Sequence, residues 1–112
     1  MNSILIIEDD IEQLDSLRDV LGVAGYATMC AQNGREALDL LRDSEPPAII
    51  LLDLTVMNGR QFLARKRNHP ALVKVPVVAM SGTTTERPQG AVAFMRKPII
   101  AANLLKLING YC

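Results

Sequence analysis

Cysteine is scarce: Cys30 and Cys112 are the only two, and they lie far apart. Two lone thiols make no disulfide framework, which excludes a disulfide-stapled fold and favours a reducing cytoplasm. Net charge is lacking as well, with 12 basic and 12 acidic residues. A balanced total argues against general nucleic-acid binding. The N-terminal apolar run is only Ile4 to Ile7, and no basic region precedes it. That excludes an ordinary signal peptide or membrane span. Internal repeats, linkers and low-complexity stretches are missing. The one histidine, His69, has no partner in sequence and reads as a loop residue beside Pro70. What is present suffices for one core: 112 residues, 49% hydrophobic, match one soluble domain.

The charges are unevenly spread. Residues 1–53 hold 11 acidic and 3 basic side chains, whereas residues 54–112 hold 1 acidic and 9 basic. Such asymmetry predicts an electrically dipolar domain, able to attract a partner more weakly as salt rises. The Arg65-Lys66-Arg67 run reads as a solvated helix face rather than a docking patch.

Short apolar runs alternate with amphipathic ones. Ile4–Ile7 and Ala48–Leu52 fit parallel strands buried on both faces, and each stops at carboxylates. Tyr26–Ala31, Pro76–Met80 and Ala91–Met95 predict three more strands. Leu14, Leu17, Leu21 and Ala24 recur at helical spacing behind a capping pair, Asp10 with Gln13, and Gly25 ends that helix. Asn33 with Glu36 repeats the pattern before Ala37, Leu38 and Leu41. Phe62 and Leu63 open a third helix after Gly59, and Ile100, Leu104, Leu107 and Ile108 mark the last. Alternating strands and helices predict an α/β fold with a parallel sheet covered on both faces.

In such sheets ligands bind beyond the carboxyl ends of the strands. Glu8, Asp9 and Asp10 follow the first strand, Asp53 the third, Ser81 the fourth and Lys97 the fifth. Crowded carboxylates repel unless a cation is present, and Mg²⁺ prefers oxygen ligands. A carboxylate beside Mg²⁺, with a lysine and a hydroxyl nearby, is equipped for phosphoryl chemistry. An aspartate needs no general base, being ionised already at neutral pH. Asp10 fits helix capping better than the site.

Ile4–Asp10, Leu51–Leu54, Val56–Gly59, Pro76–Gly82 and Phe94–Pro98 together resemble response-regulator receiver domains of two-component signalling. The resemblance spans nearly the whole chain, in order. It implies a single receiver domain over 1–112, with a flavodoxin-like doubly wound five-stranded parallel sheet in order 2-1-3-4-5. It also implies that Asp53 is the phosphoacceptor, taking a phosphoryl group from a sensor histidine kinase or phosphotransfer protein and switching the binding of a downstream protein. Asp9 and Glu8 would hold Mg²⁺ (or Mn²⁺) with Asp53, and Thr55 would lend its backbone carbonyl. Lys97, before a cis Pro98, would contact the phosphoryl group. Ser81 would be the switch hydroxyl and Phe94 the aromatic that turns inward behind it, although a half-buried aromatic there is as often mere packing. Such a domain acts as a cytoplasmic signalling module with only self-directed phosphoryl chemistry, either standing alone or cut from a larger regulator.

Two departures from the pattern carry expectations of their own. The loop between Asp53 and Met57-Asn58-Gly59 is two residues shorter than usual, which favours, as an alternative, a degenerate receiver that binds without phosphorylation. A phosphatase of the haloacid dehalogenase type is a further rival, since it too uses an aspartate nucleophile. However, it needs a second aspartate where Thr55 stands. The second departure is the segment between strands four and five. Thr83, Thr84 and Thr85 are β-branched, Pro88 removes a donor, and no apolar side chain lies between Gly82 and Gly90. The fourth helix is therefore expected to be short or absent.

Overall fold

The computed structural model describes residues 3–83 and 86–112. In chain order the elements are β1 (Ser3–Ile7), α1 (Ile11–Val23), β2 (Ala27–Ala31), α2 (Gly34–Arg42), β3 (Ile49–Asp53), α3 (Gly59–Arg67), β4 (Val77–Ser81), β5 (Ala93–Arg96) and α4 (Ala101–Asn109). The five strands form one parallel sheet in the order β2-β1-β3-β4-β5. The order and the fold are those expected from the sequence.

Strand alternation divides the core in two. Leu5, Ile7, Ile50, Leu52 and Val77 face α2 and α3, where they meet Ala37, Leu41, Phe62 and Leu63. Ile4, Ile6, Ile49, Leu51, Val78 and Met80 face α1 and α4, where they meet Leu14, Leu17, Leu21, Leu104 and Ile108. Every residue of β3 and β4 is buried, as strands covered on both faces require. Cys30 and Cys112 pack against the second cluster, and burial pushes both thiols above the ordinary range.

Both capping signals are real. Asp10 accepts from the Glu12 and Gln13 amides at the start of α1. Asn33 accepts from the Glu36 amide at the start of α2, and Glu36 reaches back to the Gln32 amide. Gly25 takes φ +93° just past α1, a left-handed conformation that glycine adopts without strain. Among the described residues the connection from Gly82 to Val92 holds no helix; Thr84 and Thr85 lie outside them. Ala91 instead donates to the Pro88 carbonyl in a turn, and β5 begins at Ala93, two residues later than the apolar run suggests.

One expectation needs correcting. Arg65 and Arg67 are solvated, but Lys66 is only 6% exposed. It follows Phe62 and Leu63 by four and three residues, so helical geometry turns it toward the core. Its ammonium donates to the Val73 carbonyl at 3.3 Å, no ion pair to it is found among the described residues, and burial pulls its pKa down. A buried cation without a carboxylate is costly. Lys66→Met is expected to stabilise the fold by about 1 kcal/mol, raising Tm by roughly 4 °C in a thermal melt. An unchanged or lower Tm would show that the Val73 bond and the helix dipole outweigh the burial.

Candidate functional site

The sheet delivers the charged residues to one rim because each apolar strand ends where its polar residue begins. Glu8 follows β1, Asp53 closes β3, Ser81 closes β4 and Lys97 follows β5. Glu8 is fully buried and Asp53 is 2% exposed, whereas Asp9 is exposed beside them. Carboxylate oxygens of Glu8, Asp9 and Asp53 lie within 4.8 Å of one another. Hard oxygen donors this close, one of them open to solvent, fit a hydrated divalent cation of the Mg²⁺ kind.

Lys97 ties the rim together. Its Nζ donates to Asp53 Oδ2 at 2.9 Å, to Glu8 Oε2 at 3.0 Å and to Gln13 Oε1. Burial pulls the lysine pKa down, but the bonds to Asp53 and Glu8 outweigh it and hold it above the ordinary value. The Lys97–Pro98 peptide is cis, as the resemblance implies. Asp53 Oδ1 accepts from both the Thr55 amide and the Thr55 hydroxyl, each at 2.9 Å. Burial pushes Asp53 up, yet bonds from Glu8, Thr55 and Lys97 together leave it below the usual carboxylate range. Glu8 shows the opposite balance. Desolvation and then the neighbouring Asp53 push it up to about 7, against the pull of Lys97. Across the pair the two shifts favour negative charge on Asp53, the carboxylate that both Lys97 and Thr55 contact.

Ser81 is buried, and its Oγ accepts from the Thr83 amide at 3.1 Å with the Thr83 hydroxyl 3.3 Å away. Its carbonyl accepts from the Lys97 amide at 2.9 Å, which links the ends of β4 and β5. Phe94 is half-buried on β5 opposite Ala79. Its neighbours Ala93 and Met95 pack toward α1 and α4, so alternation turns Phe94 to the other face, where the fourth helix was expected to be missing. Asp10 caps α1, as expected.

Three contacts escape the sequence reading: the Thr55 side chain on Asp53, Thr83 beside Ser81, and Gln13 on Lys97. The first two lie two residues from an expected site residue, a separation at which hydroxyls commonly form local turns, so a signal existed. Gln13 had none beyond capping.

The shortened loop after Asp53 is tightly organised. Val56 donates to the Asp53 carbonyl at 3.3 Å, and Gly59 to that of Val56 at 3.2 Å. Asn58, at φ +61°, turns the chain into α3. Gly34 of α2 donates to the Met57 carbonyl at 2.9 Å and clamps the loop from the side.

The chain is similar to known proteins over nearly its whole length. The profile of the response regulator receiver domain matches residues 4–109. The polar-differentiation response regulator DivK of Brucella anthropi is 28% identical over 116 aligned positions, spanning 97% of this chain and 94% of the relative. Among solved structures, the signal receiver domain of a signal transduction histidine kinase from Syntrophus aciditrophicus superposes with a TM-score of 0.87 at 28% identity, covering 99% of this chain and 89% of the other. The receiver domain of sensor histidine kinase PA1611 from Pseudomonas aeruginosa shares the fold at 20% identity, with a TM-score of 0.87 over 98% of this chain and 96% of the other. It carries a magnesium ion coordinated in its active site cleft. With a family profile covering almost its full length and a sheet in the matching order, the chain belongs to the response regulator receiver domain family.

Proposed function

We propose that the domain accepts a phosphoryl group on Asp53 from the phosphohistidine of a sensor histidine kinase or phosphotransfer protein, and thereby switches the binding of a downstream protein. The observation that carries this reading is the buried Asp53 carboxylate, held by Lys97 and Thr55 beside two further carboxylates. Glu8, Asp9 and Asp53 would hold Mg²⁺ (or Mn²⁺), with Thr55 as a candidate for a further backbone ligand. Magnesium, when bound, neutralises charge on the phosphoryl oxygens. An Asp53 oxygen attacks phosphorus, an O–P bond forms and the P–N bond breaks. The imidazole leaves with the electron pair and takes a proton from solvent. Lys97 donates to a phosphoryl oxygen as charge develops there. Ser81 closes onto another phosphoryl oxygen, and Phe94 turns toward the space behind it; this shifts the population of conformers that a partner reads.

Receiver domains are signalling proteins rather than classical enzymes, and family membership leaves the phosphatase rival without support. The degenerate alternative rests on the short loop alone. Incubation with acetyl phosphate and Mg²⁺ is expected to add one phosphoryl group, labile to hydroxylamine and absent when the metal is chelated. No labelling at all would instead favour a module that binds without phosphorylation, and labelling that ignores chelation would remove the metal from the reaction.

A further inference from the structure

Lys97 carries three N–H donors, and all three are committed. Two go to the carboxylates of Glu8 and Asp53; the third goes to the neutral amide of Gln13, an exposed residue in the first turn of α1 that lies 84 positions away in sequence. Gln13 is held in turn, because its Nε2 donates to Asp10 Oδ2 at 3.2 Å, and Asp10 is the cap of the same helix. The chain Asp10–Gln13–Lys97–Asp53 runs from the end of α1 to the candidate acceptor. A phosphoryl group on Asp53 brings new acceptor oxygens, and Lys97 can serve one only by giving up a bond it already makes. A hydrogen bond to an ionised acceptor is about twice as strong as one to a neutral acceptor, so the amide yields first.

We infer that Gln13 is a positioning residue that holds Lys97 in its resting geometry and is displaced by the phosphoryl group, making the start of α1 a sensor of the state of Asp53. This rests on the phosphoacceptor reading above. Gln13 restrains the lysine, so its bond opposes phosphoryl transfer by the worth of one exchanged hydrogen bond. That corresponds to roughly a three- to tenfold effect on rate.

Two variants of the full chain separate this role from a structural one. Gln13→Met removes the acceptor while keeping length and helix propensity. Gln13→Glu keeps an acceptor and gives it a charge. Both lose the donor to Asp10, so that contact cannot drive them in opposite directions. With acetyl phosphate and Mg²⁺, the phosphorylation rate followed by intact mass is expected to rise about three- to tenfold in Gln13→Met and to fall by a similar factor in Gln13→Glu. A second readout is the Gln13 side-chain amide in NMR spectra. Phosphorylation of the unmutated protein should move its resonances toward those of metal-free Lys97→Met, where the bond is already lost. Both variants slowed, neither changed, or an amide signal that ignores phosphorylation would overturn the role of Gln13 while leaving Asp53 as acceptor. No labelling of any of these proteins would overturn both.

Discussion

Lys97→Met is expected to slow phosphorylation of the domain by a small phosphodonor about 100- to 1,000-fold, the usual loss when one preorganised donor to a developing anion is removed. The side chain is 18% exposed and bonded to both Asp53 and Glu8, so little reorganisation separates its resting position from one facing a phosphoryl oxygen. Magnesium can neutralise part of the charge, which is why some reaction should survive. Lys97→Arg should recover only part of the rate, because a planar guanidinium does not fit where a compact ammonium reaches two carboxylates. Circular dichroism and a thermal melt would establish that both variants fold. A rate within threefold of the unmutated protein would remove Lys97 from the reaction.

The second large effect concerns a residue far from the chemistry. A Cβ added at Gly34 would lie on top of the Asn58 carbonyl and within 3.0 Å of Phe62 Cβ. Neither neighbour can yield cheaply. The Asn58 carbonyl accepts from the Phe62 amide at 2.9 Å to start α3, and Phe62 is fully buried. Gly34→Ala is therefore expected to cost about 3 kcal/mol, at the upper end for overpacking a tight contact, and to lower Tm by roughly 12 °C. The loop clamped by Gly34 carries Thr55, so phosphorylation of the folded variant should also slow, by several-fold at temperatures well below its melt. An unchanged Tm would mean that α2 and the loop do not approach as closely as described.

The sheet was legible because its central strands are short apolar runs, such as Ile49–Leu52, that end abruptly at a charge. Such runs have no stable place except between two layers of helices. Once they are aligned, the rim residues Glu8, Asp53, Ser81 and Lys97 follow from the topology. That no helix joins β4 to β5 among the described residues was legible from β-branched and proline residues with nothing apolar to bury. Lys66 was misread because three adjacent basic residues suggest one solvated face, whereas helical spacing from Phe62 and Leu63 assigns the middle one to the core. The start of β5 was misplaced because Ala91 is buried without being paired, a distinction that hydrophobicity does not carry. The bond from Gln13 to Lys97 joins opposite ends of the chain through side chains alone, and no local pattern encodes such a meeting. Gly34 belongs to the same class, since its close approach to Asn58 arises only when α2 and α3 pack.

The central claim, that Asp53 accepts the phosphoryl group, is tested most directly by trapping the acyl phosphate. After reaction with acetyl phosphate and Mg²⁺, borohydride reduction converts a phosphorylated aspartate to homoserine, which peptide mass spectrometry locates. Homoserine is expected at position 53, and Asp53→Asn should yield none anywhere. Homoserine at Asp9 or Asp10, or undiminished labelling of Asp53→Asn, would contradict the assignment.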